Sequence, residues 1–143
     1  MKKLIVLPVV LLLIVSLAAC QKSGPSGTML SQVERKSVLE FSEPKIDNLL
    51  EGWNEDNYSI FAQDFSQDLL KSMTLEKYEK LRNDEFTGLG RYYSREVESV
   101  VQRSDGSYTV IYYVVFGNDD EVLMRVTFQA DEPHEISGLG IEK

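Results

Sequence analysis

The sequence predicts an α+β domain, with N-terminal helices packed on a four-stranded antiparallel meander. Three observations carry this. Apolar residues recur at helical spacing from Met29 to about Phe86. From Leu89 onward the period drops to two, the spacing of a strand with distinct faces. Asp105-Gly106 sits between two long runs of β-branched and aromatic residues, a strong local signal for a hairpin. The chain is 143 residues long, 43% hydrophobic, with a single cysteine. No intramolecular disulfide can form, so stability has to come from one hydrophobic core.

The N-terminus comes first. Met1-Lys2-Lys3 is a short positive start, and residues 4–19 carry no charge and are almost wholly aliphatic. A basic start, an apolar core and small residues at the end form the layout of an export signal. Sixteen residues are short for a membrane-spanning helix, which needs roughly 20, and Pro8 weakens the first turn. The run ends in Leu17-Ala18-Ala19-Cys20, and Cys20 is the only cysteine. This stretch resembles the lipobox of prokaryotic lipoproteins. The resemblance implies cleavage between Ala19 and Cys20, attachment of a diacylglycerol to the Cys20 sulfur, and a mature protein anchored in the cell membrane and facing its extracytoplasmic side. Two acyl chains satisfy the requirement for stable anchoring. Residues 21–28, Gln-Lys-Ser-Gly-Pro-Ser-Gly-Thr, hold no large apolar side chain and read as a flexible tether. The expected division is a signal peptide at 1–19, a lipidated tether at 20–28 and one domain at 29–143.

Met29, Leu30, Val33, Val38 and Leu39 form a loose helical stripe. Ser42-Glu43-Pro44 reads as a helix start, with Ile46, Leu49, Leu50 and Trp53 on its buried face. Whether Pro44 divides two helices or kinks one is left open by the pattern. Gly52 to Asp56 reads as a break. Asp56, Ser66 and Thr74 are candidate caps of three short helices. These carry Tyr58, Phe61 and Phe65, then Leu69, Leu70 and Met73, then Leu75, Tyr78 and Leu81. Gly88 and Gly90 end the helical half.

Four strands follow. They are Tyr92 to Arg103, Tyr108 to Phe116, a run around Val122 to Gln129, and a short one from Ile136 to Ile141 weakened by Gly138 and Gly140. The second strand is nine uncharged residues, with both faces apolar, and is expected to be central and covered on both sides. In the third, Val122, Met124, Val126 and Phe128 alternate with Leu123, Arg125, Thr127 and Gln129.

The series Tyr58-x-x-Phe61-x-x-x-Phe65-Ser66, Leu89-Gly90-Arg91-Tyr92, the long aromatic hairpin and Ile136-Ser137-Gly138-Leu139 resembles a domain of unknown function found in prokaryotic lipoproteins. That family belongs to the nuclear transport factor 2-like superfamily, the cystatin-like α+β cone. The resemblance covers roughly Met29 to Lys143. It implies a curved sheet wrapped around helices, a pocket at the open end, and dimerisation through the sheet in many members. It carries no catalytic motif.

Composition narrows the function. Removing Lys2 and Lys3 from the 15 basic residues leaves 13 against 23 acidic, moving the net charge from −8 to −10. Such a surface repels phosphate backbones and anionic lipid heads, so no nucleic-acid partner is expected and the membrane contact is the lipid on Cys20. There is no metal-type His/Cys cluster, no nucleophile with a matching base, no phosphate-cradling loop after a strand, and no cofactor is implied. His134, the only histidine, reads as an exposed loop residue beside Pro133, and Glu96 and Glu98 read as the wet face of an edge strand. A cone-fold enzyme of isomerase or dehydratase type, with a buried acid in its pocket, is the alternative to a non-enzymatic domain. For a binding domain, Trp53, Tyr58, Phe61, Phe65, Tyr92, Tyr112 and Phe116 are the candidate pocket for a small apolar ligand or a peptide. For an assembly domain, Ile111, Tyr113, Val115 and Leu123 are the candidate face of a homodimer.

Overall fold

The computed structural model describes residues 27–85, 88–117 and 119–142. The signal segment, Ala19, Cys20 and most of the tether lie outside the described residues. Four helices and one open five-stranded antiparallel sheet make up the rest, so the α+β class stands.

Helix α1, Gln32–Glu55, is one element of 24 residues where the hydropathy showed two stripes. Its start is a capping box that the periodicity did not reveal. The Ser31 hydroxyl accepts from the Glu34 amide, and the Glu34 carboxylate accepts from the Ser31 amide at 3.0 Å. Pro44 lies inside the helix with its ring in solvent. An internal proline costs about 3 kcal/mol. Packing offsets this, because Val38 on one side of it and Ile46, Leu49, Leu50 and Trp53 on the other are all buried. Each such side chain contributes roughly 1.5–3 kcal/mol. The expected break at Gly52 is instead a crossing point. A Cβ at Gly52 would stand 2.2 Å from the Phe61 backbone nitrogen, so α1 and the next helix approach to backbone contact there. The helix ends at Asp56, in the left-handed region at φ 54°. Arg82 secures that end: it donates to the Trp53 carbonyl, pairs with Asp56 at 2.9 Å and lies 4.8 Å over the Trp53 ring.

Three short helices follow. In α2, Tyr58–Phe61, the cap is Asn57 and not Asp56; its side chain accepts from the Ser59 and Ile60 amides. Ser66 caps α3, Gln67–Ser72, and Thr74 caps α4, Leu75–Lys80, as their hydroxyls suggest. A π-helical turn, Leu81–Glu85, carries Arg82 back to the end of α1.

The sheet runs β1-β2-β3-β4-β5 in order. It has one strand more than expected. Thr28–Met29 forms β1 on the edge of β2, Tyr92–Gln102, with Thr28 opposite Gln102 and Met29 opposite Val101. Thr28 therefore belongs to the fold, not the tether. Gly27 is the residue that permits this docking, since a Cβ there would stand 2.3 Å from Val101. β3, Tyr108–Phe116, is joined to β2 by the expected turn with Gly106 at φ 84°. β4 is Asp119–Phe128 and β5 is Ile136–Glu142. Val110, Tyr112, Val114 and Phe116 of β3 and Val122, Met124, Val126 and Phe128 of β4 are all buried on the face toward the helices. β3 is central, but among the described residues helices cover only that face. Tyr113 and Val115, on the other, are 42% and 38% exposed.

The Gly52 crossing generates a contrast. Gly52→Ala should destabilise by about 3 kcal/mol or more through overpacking against backbone. Gly140→Ala, with nothing within 4 Å of its Cβ, should stay within about 1 kcal/mol of the parent in urea unfolding.

Candidate functional site

The seven candidate pocket aromatics divide into three groups. Tyr58, Phe61 and Phe65 cluster with Tyr78 beneath α1, with ring centroids 4.7–5.6 Å apart for Phe61–Tyr78, Phe61–Phe65 and Tyr58–Tyr78. Trp53, Phe116 and Tyr92 meet edge to face at about 6 Å, where α1 leaves the sheet. Tyr112 stands apart, fully buried in a polar cluster. Only Trp53, Phe61 and Phe116 line the interior cavity, together with aliphatic residues that include Leu50, Met124 and Ile141. That cavity is about 20 Å³. It holds about one water-sized sphere, far below the roughly 300 Å³ at which ligand sites begin.

The polar cluster is the least expected feature of the interior. Arg95 reaches from β2 to α1 and donates to Glu43 at 2.6 Å and Asp47 at 2.7 Å. Its other terminal nitrogen donates to the Tyr92 hydroxyl at 3.1 Å. The Tyr112 hydroxyl donates to the second Glu43 oxygen at 2.8 Å, and the guanidinium lies 5.7 Å from the Tyr112 ring. Both Glu43 oxygens are thus occupied. Burial opposes the charge on Arg95, but its bonds to Asp47 and Glu43 outweigh that and hold its pKa above the ordinary arginine value. Burial, with the Glu43 charge behind it, pushes the Tyr112 phenol well above its ordinary range. What the arrangement does chemically is lock α1 to the sheet.

Sequence reasoning missed this group. Glu43 and Asp47 are four apart within the apolar stripe of α1, which was the available signal. Arg95 was hidden by the strand. A bulge between Tyr92 and Ser94, and another between Val97 and Ser99, each shift the alternation by one residue. Arg95 therefore faces the helices. Glu96 and Glu98 are exposed, as expected, but for that reason and not because β2 is a simple edge.

His134 is not an exposed loop residue. It is half-buried, stacked on Phe41 with ring centroids 4.1 Å apart, with Nδ1 2.9 Å from the Gln129 carbonyl and φ at 54°. It closes the β4–β5 loop on α1. Of the candidate dimer residues, Tyr113 and Val115 are exposed, Leu123 is half-buried, and Ile111 is 4% exposed between its strand neighbours. Among the described residues no three His, Cys, Asp or Glu side chains gather as metal ligands, and no helix is long and apolar enough to cross a membrane. No family profile, curated protein or solved structure matches this chain.

The cluster yields two expectations. Arg95→Met should cost about 2 kcal/mol in chemical unfolding and Glu43→Gln about 1 kcal/mol, because Asp47 still pairs Arg95 in the second, and the double variant clearly less than the two together. The Tyr112 shift fixes a sign with pH. Its folded pKa lies above the unfolded value of 10.0. Its contribution is therefore complete below pH 10 and is lost as pH rises beyond it. The thermal midpoint should fall above about pH 10, and Tyr112→Phe should flatten that fall.

Proposed function

We propose that this chain is an exported lipoprotein whose mature form begins at Cys20, is held in the membrane by a diacylglycerol on that sulfur, and presents a small non-enzymatic assembly domain on the extracytoplasmic side. Leu17-Ala18-Ala19-Cys20, behind Lys2-Lys3 and an uncharged apolar run, is the observation that carries the anchor. We read the domain as a nuclear transport factor 2-like cone. Helices on one face of an ordered antiparallel meander support that reading.

Assembly is favoured over ligand capture by two features. The cavity lined by the candidate aromatics Trp53, Phe61 and Phe116 is about 20 Å³, and the surface clefts of about 400–510 Å³ hold none of the seven. The outer sheet face leaves Tyr113 and Val115 in solvent on a strand with no charged residue. A second copy bound through Tyr113, Val115 and Leu123 is the simplest cover, with Ile111 as packing beneath them. The enzyme alternative needs a buried acid, and the least exposed carboxylates of the described ion pairs, Asp64 and Glu43, are only half-buried; Lys45 and Asn48 already bond Asp64. Arg95 and Tyr112 already hold both Glu43 oxygens, which weakens that reading.

Cys20→Ser should leave the precursor uncut and without acyl mass, and normal processing of that variant would refute the anchor. A fragment from Gly27 onward should sediment as a dimer at high concentration, and Tyr113→Lys should return it to monomer. A parent fragment that stays monomeric throughout removes the dimer.

A further inference from the structure

The described fold has two poles. Thr28 pairs with Gln102, and Gln102 with Tyr108, which pairs with Phe128. The start of α1, the β2–β3 hairpin and the β4–β5 loop therefore share one end. At the other, the Trp53 indole donates to the Gly90 carbonyl at 3.0 Å, and the Gly117 amide to Arg91 at 2.8 Å. The end of α1 and the β3–β4 turn meet there. The eleven residues of β2, ten steps from Tyr92 to Gln102, separate the poles by roughly 33 Å of strand.

Two of the large exposed apolar side chains lie at the first pole, four residues apart. Met29 is 66% exposed and Val33 is 78% exposed. Single exposed apolar residues need no explanation on a protein surface. The chain that precedes these two gives them one. Only six residues, 21–26, lie between Cys20 and Gly27. Their greatest possible reach is about 25 Å. Gly27, Thr28 and Met29 are fixed to β2, and the Leu30 amide bonds the Val100 carbonyl, so no slack is added after residue 26. A lipid on Cys20 would hold this pole, and not the other, close to the bilayer at high effective concentration.

We propose that the pole bearing Met29 and Val33 rests on the membrane surface, with both side chains entering the headgroup boundary. The inference rests on the lipid-anchor reading above and adds an orientation to it. The contact is apolar in kind. Glu34, Asp105, Asp131 and Glu132 are exposed at the same pole, against Lys36 and Arg103. Anionic headgroups would therefore oppose it, and a zwitterionic surface suits it best. The orientation lifts Tyr113 and Val115 away from the bilayer, where a partner can reach them.

Spin-label depth measurements test this on the full lipidated protein in phosphatidylcholine vesicles, using Met29→Cys, Val33→Cys and Tyr113→Cys, each labelled at its new thiol. Nitroxides at 29 and 33 should collide several-fold more with oxygen than with a water-soluble nickel chelate, relative to the label at 113. Water-like behaviour at all three positions, while the protein floats with the vesicles, overturns the docking and leaves the anchor standing. A membrane-like label at 113 overturns the orientation. A protein that does not float and carries no acyl mass removes the anchor and the docking together.

Discussion

A single layer of helices covers one face of this sheet, and that asymmetry governs the rest of the molecule. β3 is apolar on both sides, yet α1 can bury only the side bearing Val110, Tyr112, Val114 and Phe116. Burial against Ile46, Leu50 and Trp53 supplies the main stabilising term, at about 25 cal/mol for each Å² of apolar surface removed from water. The outer side receives no such cover among the described residues. Its middle is shielded by strand neighbours, so Ile111 and Thr109 are buried. Its far end is not.

Charged groups fix the position of α1 over the sheet at two places. Near the middle of the helix, Arg95 bridges Glu43 and Asp47 and draws Tyr112 into the same set of bonds. Where the helix ends, Arg82 ties the Trp53 carbonyl and Asp56 to the Tyr78 ring. Hydrophobic contact alone would tolerate sliding, because it has no direction. Paired, hydrogen-bonded charges do not, since any slip leaves one of them desolvated without its partner. The interior is therefore specified as well as filled.

Much of this was legible in the sequence, and the failures have physical causes. β3 follows from its unbroken run of β-branched and aromatic residues, the inner face of β4 from period-two hydropathy, and Ser66 and Thr74 cap where their hydroxyls predict. The helix around Pro44 was unreadable because proline marks a boundary on average, and only tertiary packing overrides it here. β1 was invisible because two residues show no periodicity; its existence depends on Gly27 lacking a side chain. Arg95 was lost because bulges change which side chains face inward without changing composition. His134 was misjudged because its environment comes from Phe41, far away in sequence. The seven aromatic residues were picked as pocket lining; five are buried and Tyr58 and Tyr92 half-buried, and packing density, which decides between core and pocket, cannot be read from residue type.

Tyr112 and Tyr113 are chain neighbours on opposite faces, so together they report the asymmetry directly. Nitration of the dilute monomeric domain, read by peptide mass, measures both at once. The account predicts fast modification at Tyr113, which is 42% exposed, and protection at Tyr112, which is fully buried, until the protein unfolds. Equal reactivity of the two in the folded monomer would contradict one-sided coverage, as would protection of Tyr113 in the monomer.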